Sequence, residues 1–271
     1  MILTWLYAPG DRPEVVAKAL GCGADAVIVD LEDAVSASRK EYARAATAEL
    51  LGSRPPVPVH VRVNALDSPW GGADLNALAG LHGLAGLRLP KISAPEQVAA
   101  VADRTGGVGL HALLESALGV ERAYGIARAH PALRGLSLGE ADLRADLAVS
   151  ADEGLDWCRA RVVVAARAAG LAPPAQSVFP DIRDLEALAR SCARGRCLGF
   201  LGRAAIHPRQ LPVIERAYLP GPEEVVAAEQ VLSAARATPG ALALPDGRFV
   251  DPAVVAAAHR TLALSRREAT R

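Results

Sequence analysis

Short apolar runs alternate along this chain with stretches in which apolar residues recur at helical spacing. Residues 26–35, AVIVDLEDAV, show the first kind most plainly. An unbroken, β-branched run without helical period reads as a strand buried on both faces, and three carboxylates, Asp30, Glu32 and Asp33, follow its apolar part. Carboxylates at the carboxyl end of a parallel strand sit where such folds place their chemistry, and burying them is costly without a partner or a metal. Two other readings stay open from these residues alone: solvated acids in a loop, or Glu32 and Asp33 opening the next helix as dipole partners.

The alternation continues. It predicts strands at residues 3–8, 26–32, 57–64, 86–90, 109–115, 135–139, 175–179 and 197–201. Helices are predicted at 14–20, 38–51, 74–81, 95–104, 120–130, 155–169, 185–194 and 209–218. Asp11 and Asp184 are expected helix caps, and Gly21, Gly52 and Gly170 expected stops. Strand–helix alternation means a parallel sheet, and eight such units predict a closed (β/α)8 TIM barrel over residues 1–220. Two further helices, 222–238 and 252–266, flank the link ALPDGRFVDP. This C-terminal helical extension, 221–271, is not needed to close a barrel.

Charge narrows the partners. Lys+Arg and Asp+Glu are 30 each, so bulk attraction to nucleic acid or an anionic membrane is not expected. The interior is Ala, Val and Leu, since 51% of residues are hydrophobic and only 4% aromatic. Cys22, Cys158, Cys192 and Cys197 lack CxxC spacing and suit a reducing, cytoplasmic compartment. MILTWLYAPG reads as a first strand rather than a signal peptide.

Polar residues collect at the expected carboxyl ends: Glu32 and Asp33, Arg62 and Asn64, Lys91, Glu115, Asp142, Asp181 and His207. The opposite ends, Ala26, Val57, Gly109, Gly135 and Cys197, are apolar or glycine. Glu115 and Asp142 follow consecutive strands. Two close carboxylates repel, and a divalent cation relieves them; with only oxygen donors on offer Mg²⁺ is favoured over zinc. A first-turn acid for Glu115 and a helix cap for Asp142 are the structural alternatives. Arg62, in a strand otherwise of Val, needs an anion, either a substrate carboxylate or the barrel's own acids. Gly139 leaves backbone N–H groups open at a helix start, suiting a substrate oxygen, whereas His207 is expected to be structural.

YAPGDRPE, ADAVIVDLEDAV, VHVRVN, RLPK, ALLESALGV, GEADL, IHPRQ and DGRFVD, in this order and over nearly the whole chain, resemble the citrate lyase β-subunit-like proteins of the HpcH/HpaI aldolase superfamily, relatives of malyl-CoA and citramalyl-CoA lyases. The resemblance implies a Mg²⁺-dependent TIM barrel, usually trimeric and sometimes hexameric. It places the metal ligands on Glu115 and Asp142, acids holding metal-bound waters on Glu32 and Asp33, and the substrate-carboxylate arginine on Arg62. It also makes the C-terminal extension a lid that brings Asp251 as acid/base, often to a neighbouring subunit's site. The sequence departs from the family's pattern at Gln176, where an acid is common, and at Glu140, where relatives vary, both near the acceptor site. The implied reaction is reversible aldol or Claisen-type cleavage of a 3-hydroxyacyl-CoA to a 2-oxo acid and acetyl- or propionyl-CoA. Arg12, Arg39 and Lys40 are candidates for the CoA phosphates. Rival readings are a citrate lyase β subunit working on an acyl carrier protein, a lyase that also hydrolyses the thioester, and a non-catalytic scaffold.

Overall fold

A computed structural model describes residues 1–237, 241–244 and 247–267. The expected helix end at residue 238 and the middle of the ALPDGRFVDP link, 245–246, lie outside the described residues. The chain divides into two compact units, Met1–Glu215 and Arg216–Arg271.

The first unit opens with β1 (Thr4–Pro9), α1 (Pro13–Leu20), β2 (Ala26–Asp30), α2 (Lys40–Leu51), β3 (Val59–Arg62), α3 (Gly71–Leu78), β4 (Leu84–Leu89) and α4 (Pro95–Thr105). Next come β5 (Leu110–Leu114), α5 (Ala117–Glu121), α6 (Ala123–Ala127), β6 (Leu133–Leu138), α7 (Glu140–Asp146), α8 (Asp156–Ala168), α9 (Leu185–Cys197), β7 (Arg203–Ala205) and α10 (Leu211–Tyr218). The strands form one parallel sheet in the order β6-β5-β4-β3-β2-β1-β7. All of β2 is buried, as its unbroken apolar run requires. Each of Val27, Ile28 and Val29, at 0% exposure, contributes roughly 1.5–3 kcal/mol by leaving water.

The sheet is curled. Inward-facing Trp5 of β1, His60 of β3 and His111 of β5 meet edge to face, with ring centroids 4.9, 5.0 and 5.8 Å apart. Four strand spacings of about 4.8 Å would separate β1 from β5 in a flat sheet. The 5.8 Å between Trp5 and His111 therefore requires the sheet to bend into a half-barrel around these rings. Glycine makes the room: a Cβ on Gly86 would lie 2.6 Å from His60 Nδ1, and one on Gly135 2.8 Å from His111 Nδ1.

The last two strands differ from expectation. Residues 175–179 give only a single parallel bridge, Gln176 to Arg203, after the consecutive prolines Pro173 and Pro174. The apolar run 197–201 is not a strand. Cys197 ends α9, Gly199 and Gly202 turn the chain at φ of 93° and 80°, and the strand is Arg203–Ala205. The helix expected over 120–130 is two short ones, α5 and α6, in a segment holding Gly119 and Gly125. Arg12, not Asp11, occupies the N-cap of α1; Asp184 does cap α9, accepting from Ala187 N at 2.8 Å.

The second unit contains α11 (Pro222–Ala237), the antiparallel pair β8 (Leu242–Ala243) and β9 (Phe249–Val250), and α12 (Pro252–Ser265). Ala228, Val231, Leu232, Leu244, Val250 and Ala258 form its own small core.

Candidate active site

The site is built at the carboxyl ends of β2 to β6. Asp30, the last residue of β2, is 2% exposed and carries the heaviest structural duty. It accepts backbone N–H groups from Glu32 (2.9 Å) and Ala34 (3.1 Å), shaping the loop that presents Glu32 and Asp33. Its two oxygens also take Arg62 Nε and Nη2 side-on, both at 2.7 Å. Arg62 Nη1 then faces Glu32 (2.9 Å) and Asp33 (3.2 Å). Burial works against the guanidinium charge, and Asp30 outweighs it, so Arg62 is held firmly protonated. Of the two expected partners for Arg62, the chain's own acids are the ones observed: its inner edge belongs to Asp30, while its outer end points towards Glu32 and Asp33.

Lys91, one turn beyond β4, gathers the other acids. Its backbone N–H donates to Glu115 Oε2 at 2.9 Å, and its Nζ lies 3.0 Å from Glu32 and 3.6 Å from Asp142. Glu115, from the end of β5, and Asp142, from the first turn of α7, therefore open on one mouth together with Glu32. Lys91 adopts φ 56°, uncommon for a residue with a side chain, and this aims its N–H at Glu115. Glu115 is 7% exposed. Burial first, then the Glu32 charge, pushes its carboxyl up to about 7. Glu32 is likewise raised by burial. Asp33 and Asp142 stand at the open rim.

Gly139 stands against Glu115. A Cβ there would fall 2.2 Å from Glu115 Oε1, so only glycine leaves that oxygen in place. Gly139 does stand at the N-cap of α7, and its observed effect on the site is this steric one. Glu140 is turned away from the mouth: both its oxygens bind Arg159 of α8, at 3.0 and 2.6 Å. Arg159, 4% exposed, also holds Asp152 at 2.8 and 2.9 Å and Asp156 at 3.2 Å. The Arg159 hydrogen bonds draw the Asp152 carboxyl down to about 2. Glu140 therefore clamps the start of α7, the helix that carries Asp142, rather than facing a substrate.

The basic residues expected for CoA separate. Lys40 is 6% exposed, and its ammonium donates to the carbonyls of Leu31 and Glu32, both at 2.7 Å. That commitment supports the acid loop and removes Lys40 from phosphate binding. Arg39 is exposed, stacked 4.3 Å over Tyr42 and 3.5 Å from Asp11; Arg12 is exposed beside it in sequence. His207 accepts from Arg209 N at 3.1 Å and starts a short 3₁₀ turn, in keeping with a structural role. Asp251 caps α12, its Oδ1 accepting from Val254 N at 2.9 Å.

From the sequence, Asp30 stood only as one of three carboxylates after its strand, Lys91 only by its place at a strand end, and Arg159 was not singled out. Asp30 had a signal, as the one acid in register with Arg62 across β2 and β3. Arg159 lies within the helix expected over 155–169, and nothing in the sequence marks its distant acid partners.

The donor chemistry suits a hard divalent cation. Among the described residues no three Asp, Glu, His or Cys side chains close on one point, but Mg²⁺ needs only one or two carboxylates plus waters and substrate. Glu115 and Asp142 are two carboxylates that open on this mouth. Among the described residues five carboxylates, Asp30, Glu32, Asp33, Glu115 and Asp142, outnumber the cations set among them, Arg62, Lys91 and the buried Lys40.

A curled parallel sheet with an acid-lined mouth at its carboxyl ends defines an α/β protein with an oxygen-donor site. The chain belongs to the HpcH/HpaI aldolase/citrate lyase family, whose model matches residues 3–208. It is 36% identical over 273 residues to a (3S)-malyl-CoA thioesterase of Cereibacter sphaeroides strain ATCC 17029, covering 95% of this chain and 92% of that relative. It is 33% identical over 284 residues to citrate lyase subunit beta of Leuconostoc mesenteroides subsp. cremoris, covering 97% and 92%. Among solved structures it superposes on CitE of Mycobacterium tuberculosis, crystallised with magnesium, acetoacetate and coenzyme A, with a TM-score of 0.84, 34% identity and 97% of both chains covered. A citrate lyase beta subunit of M. tuberculosis complexed with oxaloacetate and magnesium matches at TM-score 0.69 and 33% identity, over 80% of this chain and 96% of that one. Among the described residues no helix is long and apolar enough to cross a membrane.

Proposed function

We propose that this protein is a Mg²⁺-dependent carbon–carbon lyase that cleaves a 3-hydroxyacyl-CoA such as malyl-CoA or citramalyl-CoA into a 2-oxo acid and acetyl- or propionyl-CoA. The observation that carries the reading is the convergence of Glu115, Asp142 and Glu32 on Lys91, with Arg62 alongside. Support also comes from the magnesium, CoA and oxo-acid complexes of the structural neighbours.

Glu115 and Asp142 would hold the Mg²⁺, and Glu32 and Asp33 would accept from its waters. The bound ion would supply Lewis-acid polarisation of substrate oxygens. Arg62, braced by Asp30, presents its outer N–H groups to the substrate carboxylate and fixes its direction. Asp251 would move the proton at the carbon left carrying the enolate: it gives the proton after cleavage and takes it in condensation. In this reading residues 1–220 complete a (β/α)8 barrel and residues 221–271 act as the lid. The assembly is a homotrimer or hexamer in the cytoplasm, and Arg12 and Arg39 serve the CoA phosphates.

The test is exchange of the acetyl-CoA methyl protons with solvent. The wild type should exchange them only with Mg²⁺ and a 2-oxo acid present, and Asp251→Asn should not; exchange without metal would overturn the reading. A second reading is favoured by the likeness to a malyl-CoA thioesterase: hydrolysis of the thioester, with or without prior cleavage. The likeness to citrate lyase β subunits keeps a third in view, an acyl-carrier-protein substrate. Full turnover of a free CoA thioester by the purified chain alone would exclude the third.

A further inference from the structure

Beneath the mouth lies a guanidinium that the mechanism above does not use. Arg88 projects inward from β4 and is 3% exposed. Its Cζ sits 4.4 Å over the Trp5 ring, among the described residues no carboxylate pairs with it, and its Nε has no hydrogen-bond partner. The neighbouring His60 and His111 cannot offer a counter-charge, since an imidazole is neutral or positive, and burial with the Arg88 charge beside them keeps both neutral. A buried unpaired cation is costly, and a fold keeps one cheaply only where an anion reaches it.

The group between Arg88 and the mouth is Tyr7. Tyr7 follows Trp5 by two residues on β1 and so shares its inward face, next to the ring that Arg88 covers; a guanidinium only donates, so the tyrosine oxygen is the acceptor in any bond between them. Its ring lies 5.3 Å from the Cζ of Arg62, the guanidinium at the mouth. Tyr7 is only partly buried, unlike Trp5 and Arg88 below it. Among the described residues no protein acceptor takes the hydroxyl's own proton.

We propose that Tyr7 is a substrate-contacting residue: its hydroxyl, held from below by Arg88, donates to a negatively charged oxygen of the bound 2-oxo acid or hydroxyacyl group. Arg88 is the positioning residue behind it and supplies the positive charge that the substrate's anion balances. This rests on the lyase reading and adds a contact to it. A hydroxyl with a cation behind its oxygen is a better donor to an anion than one without.

The test measures binding and turnover separately in Tyr7→Phe, Arg88→Met and the double variant, each first checked by circular dichroism and thermal unfolding. Calorimetry with Mg²⁺ alone should show wild-type affinity in all three. Calorimetry with oxaloacetate or glyoxylate in saturating Mg²⁺ should show a roughly tenfold or greater loss for Tyr7→Phe, the worth of one hydrogen bond to a charged group. Arg88→Met should lose a similar factor while unfolding at the same or a higher temperature, since an unpaired buried charge has gone. The double variant should lose no more than the worse single variant, because both act through one oxygen. Wild-type oxo-acid affinity in Tyr7→Phe would overturn the proposal, as would losses that multiply in the double variant or a destabilised Arg88→Met. If the wild type binds Mg²⁺ but no oxo acid, the lyase reading fails and this contact fails with it.

Discussion

Glu115→Gln separates the cost of the site from its use. In the folded, metal-free chain the Glu115 carboxyl is pushed from 4.5 up to about 7 by burial and by Glu32. Ionising it in place is therefore unfavourable by about 3 kcal/mol relative to the unfolded chain. Because the folded value is the higher one, the penalty is absent below about pH 4.5, where the carboxyl is protonated in both states, and stability is lost as pH rises from there through about 7. Glutamine keeps the shape, and its amide oxygen can still accept from Lys91 N. Metal-free Glu115→Gln should match the wild type near pH 4.5 and exceed it by up to about 3 kcal/mol at pH 8, on the order of 6–10 °C in melting temperature for a domain of this size. Adding Mg²⁺ should stabilise the wild type at pH 8 and leave the variant unmoved. The assay is thermal unfolding across pH with chelator and with Mg²⁺. A variant no more stable than the wild type at pH 8 without metal would show that the buried charge is not strained. A variant that still gains stability from Mg²⁺ would remove Glu115 from the metal site.

Other perturbations probe other parts. Mg²⁺ affinity of the wild type should fall about tenfold per pH unit below 7, as the ligand must first lose its proton; a flat titration from pH 5 to 8 contradicts the ligand assignment. Gly139→Ala drives a methyl into Glu115 Oε1, so calorimetry should find Mg²⁺ binding lost while circular dichroism stays close to wild type. Arg159→Met strands Glu140 and Asp152 without their cation and should cost about 3–5 kcal/mol in denaturant unfolding, with weakened Mg²⁺ binding through α7. Asp142→Ala, at an open rim position, should abolish metal-dependent turnover with little change in stability.

The first six strands and the residues at their carboxyl ends were legible because a doubly buried parallel strand must be apolar until it reaches the mouth, as AVIVD and VHVR show. The last strands were not, for the opposite reason. CLGFL is apolar enough for a strand, but it is the end of a helix followed by left-handed glycines, and β7 itself opens on a buried arginine. At the site, the sequence separated acids from scaffold but could not assign partners. Glu140 lies two residues from Asp142 in a motif that points at the mouth, yet its oxygens go to Arg159, distant in sequence. Lys40, expected as a candidate for the CoA phosphates, is instead buried against two carbonyls. Tyr7 and Arg88 were missed because an inward polar residue inside an apolar strand carries no signal until the sheet's curl reveals what it faces.

One product analysis bears on the whole account: the purified chain, alone and with Mg²⁺, incubated with (3S)-malyl-CoA and followed for every product. The account predicts glyoxylate and acetyl-CoA in equal amounts, reversibly, and nothing when Mg²⁺ is chelated. Free malate and CoA without glyoxylate, or product formation that ignores the chelator, would contradict it.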